Sequence, residues 1–148
     1  MKLFERVSHP TFELARRWCL DHFPPARDAV LVHGDLMMQN ILVEPDEHPL
    51  RIGVVDWDRT RVGHPAFDLA AMTRGYDKPF PTGESTEELL KNYNNQTGRD
   101  IGFSELRFFE ILGLVWRWRS EVDRRGGTDE FTDDLLQGIH QLVERELP

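Results

Sequence analysis

Between residues 30 and 55 the chain carries three short apolar runs divided by polar segments, and this spacing leaves little choice of local fold. Val30-Leu31-Val32, Ile41-Leu42-Val43 and Arg51-Ile52-Gly53-Val54-Val55 are too short for helices and rich in β-branched residues, so each reads as a strand. Glu44-Pro45-Asp46-Glu47-His48-Pro49 reads as the turn between the second and third. The simplest arrangement is a β-hairpin whose strands end in polar loops, one of them His33 to Asn40.

The rest reads as helix. Ser8 is placed to cap a first helix with Pro10 in its opening turn. Phe12, Ala15, Cys19 and Phe23 recur at helical spacing before Pro24-Pro25 ends it. Beyond Asp68 a short helix is expected over Leu69 to Gly75, then a loop from Lys78 to Gly83. Ser85 and Glu88 form a capping-box pattern, and that helix should stop near Gly98. Ser104 is the expected cap of a long helix through Val122. Leu106, Phe109, Leu112 and Trp116 lie along one side of it, with Phe108, Ile111, Val115 and Trp118 beside them. So wide an apolar face belongs to a helix covered on several sides. Gly126-Gly127 should stop it, and Thr128 or Thr132 should open a last amphipathic helix with Leu135, Ile139, Leu142 and Val143. The expected fold class is α+β, mainly helical: one domain over residues 1–148, its hairpin presenting loops on a helical base.

Composition narrows the partners. A hydrophobic fraction of 39% in 148 residues supports one packed core. The net charge is -8, from 26 acids against 18 bases, with no basic stripe, so no nucleic-acid partner is expected. Cys19 is the single cysteine, so no intrachain disulfide can form. The charged start lacks the apolar core of a signal peptide, and no run approaches the ~20 apolar residues of a membrane span. A cytoplasmic protein without a membrane partner is the expectation.

The chemistry concentrates in two segments. His33-Gly34-Asp35-Leu36-Met37-Met38-Gln39-Asn40 has the spacing H-x-D-x-x-x-x-N of a kinase catalytic loop. Phosphoryl transfer needs a carboxylate beside the attacking hydroxyl and an oxygen ligand for Mg²⁺ close by. A loop returning over four residues can aim Asp35 and Asn40 into one cleft. Asp56, at the end of an apolar strand in Val54-Val55-Asp56-Trp57-Asp58, is placed to ligate the same ion.

With Asn40-Ile41-Leu42-Val43 and Gly63-His64-Pro65-Ala66-Phe67-Asp68-Leu69-Ala70 added, four motifs stand in order from Leu31 to Ala70. Together they resemble the aminoglycoside phosphotransferase and choline kinase-like family. The resemblance implies the C-terminal lobe of a protein kinase-like fold, with ATP and Mg²⁺ as cofactors and a small-molecule hydroxyl as acceptor. It implies that Asp35 is the catalytic base, that Asn40 and Asp56 hold the metal and its nucleotide, and that His33 and Asp68 support the loop. Asp58 faces metal, substrate or solvent. Trp57 is expected to fill the core beneath the metal loop.

The chain also departs from the family. Met37 and Met38 stand where relatives often carry His-Pro or similar residues. Only residues 1–32 precede the catalytic loop, without a Gly-rich loop, and none of Lys2, Lys78 and Lys91 lies on a strand. The N-terminal nucleotide lobe is therefore expected to be absent from this chain, as in a fragment, a degenerate copy or one half of a split protein, its interface left to a homodimer or to a missing lobe. The competing expectation is a degenerate lobe that binds a ligand or partner without transferring phosphate. A metal-dependent phosphohydrolase ranks last, because the remaining histidines show no regular spacing. Trp116-Arg117-Trp118-Arg119 reads as a buried helix face whose arginines reach solvent, rather than as a binding strip. In this family acids in the C-terminal region can hold cationic sugars. Asp129, Glu130, Asp133 and Asp134 read instead as acids favoured at a helix N-terminus.

Overall fold

A computed structural model describes residues 9–26, 29–45, 49–73 and 85–144. The element order is α1 (Pro10–Asp21), β1 (Val30–Val32), β2 (Ile41–Glu44), β3 (Arg51–Val54), β4 (Arg61–Gly63), α2 (Ala66–Thr73), α3 (Thr86–Thr97), α4 (Phe103–Arg125) and α5 (Glu130–Glu144). Single 3₁₀ turns cover Met38–Asn40 and Trp57–Arg59. The α+β, mainly helical reading holds.

α4 is the spine. Phe108, Ile111, Val115 and Trp118 on one side pack with Phe12, Ala15 and Trp18 of α1 and with Leu135, Ile139 and Leu142 of α5. Leu106 turns the other way and packs with Ala66, Leu69 and Ala70 of α2, Leu90 of α3 and Ile101. The wide apolar face of α4 thus serves two cores. Burying one such aliphatic side chain contributes about 1.5–3 kcal/mol, and Ile111, Leu114 and Val115 are wholly buried. Cys19 belongs to the first core, where burial pushes its thiol up to about 12.

The helix ends are set by side-chain chemistry. At α1 the expected cap, Ser8, lies outside the described residues; the ring of His9 accepts from the Thr11 N–H instead. Both the backbone N–H and the ring of His22 engage the Trp18 carbonyl at 2.9 Å, so α1 stops at Asp21. Phe23 therefore falls beyond the helix and is exposed, and Trp18 takes the core position that the periodicity assigned to it. The Ser85–Glu88 capping box is formed in both directions, and Gly98 ends α3 in the left-handed region at φ 68°. α4 begins one residue before the expected cap, Ser104. Its first turn is closed by Glu105, which accepts from the Gly102 N–H at 2.6 Å. Asp129, rather than a threonine, caps α5: its carboxylate accepts from the Thr132 N–H while its own N–H donates to Thr132 Oγ1. Those acids sit at a helix start, as read from the sequence. The backbone N–H of Thr132, followed by Arg125, holds the Asp129 carboxyl below its ordinary value.

The strands form two antiparallel pairs. β2 and β3 make the expected hairpin, with Ile41 opposite Val54 and Glu44 opposite Arg51. β4 was not anticipated; it returns along β1, pairing Val30 with Gly63 and Val32 with Arg61. Leu31, Leu42, Ile52 and Val62 remain exposed on these strands, so little apolar burial holds this end of the molecule. The expected helix end at Gly75 and the loop from Lys78 to Gly83 lie outside the described residues. Among the described residues no helix is long and apolar enough to cross a membrane.

Candidate active site

The loop after β1 is tied down by side chains from three directions. α2 starts at Ala66, so Asp68 lies in its first turn rather than ahead of it. From there its carboxylate accepts from the His33 N–H at 2.7 Å and the Gly34 N–H at 3.0 Å. Backbone N–H groups that no strand partner reaches are thereby satisfied by a charged acceptor, the stronger kind of hydrogen bond. The GHPAFD segment is itself anchored: His64 Nε2 lies 3.2 Å from Glu105 of α4, and its ring stacks on Phe109.

His33 is buried and works from both nitrogens. The Asp35 N–H donates to its Nδ1 at 3.3 Å, which makes Nε2 the protonated nitrogen, donating to the Val55 carbonyl at 2.8 Å. One imidazole therefore joins the residue carrying the Asp35 carboxylate to the residue before Asp56.

Asn40 completes the ring of contacts. Its Nδ2 donates to the Asp35 carbonyl at 2.8 Å, and its own carbonyl accepts from the Val55 N–H at 3.0 Å. With Nδ2 committed, the buried Asn40 has only Oδ1 left to offer a cation. Asp35, Asn40 and Asp56 are thus neighbours through backbone and side-chain bonds that run through residues 33 and 55.

Asp56 is the single non-glycine residue at positive φ among those described, at φ 63° and ψ 60°. Such a conformation costs on the order of 1–3 kcal/mol and persists where surrounding contacts enforce it. Here those contacts are the Val55 bonds to Asn40 and His33. The Asp56 side chain is exposed and makes no hydrogen bond or ion pair among the described residues, and Asp58 beside it is exposed too. Trp57 does not fill a core. It is half-exposed, donates its indole N–H to the Val54 carbonyl at 2.8 Å and leans against His33.

Gly34 has no substitute. Its φ is +85°, and a Cβ there would stand 2.4 Å from the carbonyl oxygen of Arg59. The loop after β1 and the 3₁₀ turn after Asp56 therefore touch backbone to backbone.

That approach brings in residues for which the sequence carries no motif. Arg59 Nε lies 3.9 Å from Asp35 Oδ2, and its guanidinium stands 5.6 Å from the Trp116 ring. Arg61 lies over the Phe67 ring at 4.2 Å. With Leu112 and Gly34 these residues line a cavity of about 320 Å³ that opens directly on Asp35. Trp116 and Trp118 divide: Trp118 is core, as read from the sequence, whereas Trp116 is half-exposed and faces the cleft. Leu112 and Trp116 are a turn apart on α4 and were read as ordinary core, so their periodicity did not distinguish lining from packing.

Among the described residues no three His, Cys, Asp or Glu side chains form a cation cage. The donors on offer are one carboxylate, Asp56, and one amide oxygen, Asn40. A small hard cation that keeps water and phosphate oxygens in its shell suits such a sparse set of oxygens.

Comparison with known proteins supplies a family. The profile of the phosphotransferase enzyme family (APH) matches residues 2–109. The chain is 45% identical over 141 residues to viomycin phosphotransferase of Streptomyces vinaceus, covering 93% of this chain and 45% of that protein. It is 30% identical over 137 residues to acyl-CoA dehydrogenase family member 11 of Mus musculus, covering 76% of this chain and 18% of that one. For the Gallus gallus counterpart the identity is 35% over 120 residues, covering 70% and 15%. The chain thus spans less than half the length of each of these relatives. No solved structure gives a significant match.

Proposed function

The chain belongs to the phosphotransferase enzyme family, and from that premise we propose that it is the C-terminal lobe of an ATP- and Mg²⁺-dependent kinase acting on a small-molecule hydroxyl. The observation that carries this reading is the set of bonds that makes Asp35, Asn40 and Asp56 neighbours.

The roles follow from what each side chain has free. Asp35 is held through its backbone by His33 and Asn40, and its carboxylate, partly exposed, opens on the cleft. It is the group that orients the acceptor hydroxyl and receives its proton. Asn40 Oδ1 and the Asp56 carboxylate would hold Mg²⁺, which when bound neutralises charge on the phosphates of the nucleotide. His33 and Asp68 touch no substrate in this reading. They fix the loop, which matters because most of the rate in phosphoryl transfer comes from positioning and charge stabilisation. The chain spans less than half of each relative, and the nucleotide contacts of an N-terminal lobe are not assigned to any of its residues.

The test is Mg²⁺-dependent transfer from ATP to hydroxyl compounds by the protein that carries this chain. Asp35→Ala should lower transfer by about 10²–10⁴-fold, the usual worth of a general base, with its circular dichroism and melting curve unchanged. Asp56→Asn should raise the Mg²⁺ concentration needed for half-maximal rate. Undiminished transfer by Asp35→Ala would refute the assignment.

A further inference from the structure

The cleft beside Asp35 is lined by two cations and one anion in a chain whose net charge is -8. We infer that its acceptor carries an oxyanion, a carboxylate or a phosphate, on a hydroxyl-bearing molecule with an apolar segment, and that Arg61 with Arg59 selects for it. The inference rests on the proposed role of Asp35, which makes this cleft the acceptor's.

Arg61 has spare binding capacity. Its guanidinium is stacked on Phe67, and its one hydrogen bond is a long one, 3.4 Å, to the Arg59 carbonyl. It is paired with no acid among the described residues. A guanidinium offers five N–H donors in a planar fork that matches carboxylate and phosphate oxygens. Most of these donors are uncommitted. Arg59 is scarcely better satisfied, because 3.9 Å to Asp35 is too long for a hydrogen bond.

An arginine stacked on an aromatic ring is often only surface packing. Its neighbours decide against that here. Arg16 and Arg17 face Glu13, Arg51 faces Glu44, and Arg124 and Arg125 face Glu121. In so acidic a chain a surface arginine readily finds a carboxylate. Arg61 instead faces none among the described residues, and it shares the cavity with Arg59, whose nearest acid, Asp35 at 3.9 Å, is reserved for the hydroxyl.

The anion in question is not the nucleotide's. Neither Asn40 nor Asp56 lines the cavity, so the metal side and the cleft side of Asp35 are distinct. The apolar lining beside the arginines is Phe67, Leu112 and Trp116, which suits the carbon skeleton between the hydroxyl and the anion.

The test uses probes that share one six-carbon chain and one hydroxyl but differ in head charge. These are 6-hydroxyhexanoate, hexane-1,6-diol and 6-amino-1-hexanol, with 6-hydroxyhexyl phosphate as a fourth arm. Each is titrated against the protein without nucleotide or Mg²⁺, following the Trp116 indole N–H resonance, assigned with Trp116→Phe. An anionic probe should bind about 10-fold tighter than the diol, as expected for one charge-assisted contact, and the amine should bind more weakly than the diol. Arg61→Gln should bring the anion down to the level of the diol, and Arg61→Glu should place the amine above the anion. The tighter of the two anions assigns the acceptor as a hydroxy acid or a phosphate ester. Equal binding of the probes, tightest binding of the amine, no shift with any probe, or a preference untouched by Arg61→Gln would each overturn the inference. Mg²⁺-ATP transfer is measured separately. Charge preference without transfer counts against the kinase reading alone, and transfer without charge preference counts against the acceptor alone.

Discussion

The helical base and the strand end of this molecule are held by different forces. In the base, α1, α4 and α5 bury Phe12, Ile111, Leu135 and Ile139 almost completely, and the side chains carry the stability. At the strand end Leu31, Leu42, Ile52 and Val62 stay exposed while Val32 alone of the strands' apolar side chains is fully buried, and order comes mainly from discrete hydrogen bonds. Asp68 binds two backbone N–H groups, His33 bridges Asp35 to Val55, and Asn40 bridges Asp35 to Val55 from the other side. Burial is non-directional and gives cohesion. Hydrogen bonds are directional and give aim. A base of the first kind can carry an end of the second, and the dependence runs one way, because Asp68 reaches the loop after β1 from α2 while Glu105 of α4 anchors His64 in the lead-in to α2.

The largest expected effect on stability is in the base. Ile111→Ala removes a wholly buried side chain from the middle of α4. It should cost about 2–5 kcal/mol in a urea titration, with the helical signal and the amide protection of residues 33–60 lost together. Retained protection of those residues in the unfolding transition would show that the strand end stands by itself, and the one-way dependence would be wrong.

Asp68→Ala sharpens the same comparison from the other side. The His33 and Gly34 N–H groups lose their acceptor, at about 1–3 kcal/mol for the buried His33, while the half-buried Gly34 can turn to water. The loss is local, so the melting transition of the base should move less than with Ile111→Ala. Transfer should fall on the order of 100-fold, the scale of a misplacement near 1 Å, and Asp68→Asn, which keeps one acceptor oxygen, should recover part of it. Amide exchange at residues 33–40 should rise selectively. Equal acceleration across α4 would mean that Asp68 serves the whole fold rather than the loop.

The two regions also differed in how far the sequence revealed them. Helical periodicity located α1, α4 and α5, because burial leaves a regular trace, and the Ser85–Glu88 capping box with Gly98 located α3 and both its ends. Elsewhere the ends were misplaced where one side chain decides: His22 stops α1 short of Phe23, Glu105 closes the start of α4, and Asp129 caps α5. At the strand end Asp35, Asn40 and Asp56 were singled out by motif spacing, and His33 and Asp68 by the family resemblance, because those motifs are short and stand in fixed order along the chain. β4 left no trace, because Arg61-Val62-Gly63 holds one apolar residue and that residue is exposed. Arg59, Arg61 and Trp116 were missed for a related reason. They meet only after β4 has turned back along β1 and α4 has passed beneath, and no local pattern encodes a meeting of that kind.

Acid titration separates the forces within the base itself, and its effect should be the smallest. Hydrogen bonds from Arg16 and then Arg17 hold the Glu13 carboxyl down at about 2, against an ordinary 4.5. A carboxylate with a lowered folded-state value stabilises the fold above its unfolded value, and that contribution is lost as pH falls from 4.5 toward 2. Glu13 is fully exposed, so solvent screening keeps the contribution small. Glu13→Gln, which mimics the protonated form, should therefore be slightly less stable than the unaltered chain at pH 7, with the gap closing toward pH 2. The gap left by Ile111→Ala should not change over that range, because the lost hydrocarbon does not titrate. Urea titrations of the two variants at several pH values read both gaps directly. A Glu13→Gln gap that persisted at pH 2 would assign the difference to packing on α1 rather than to charge.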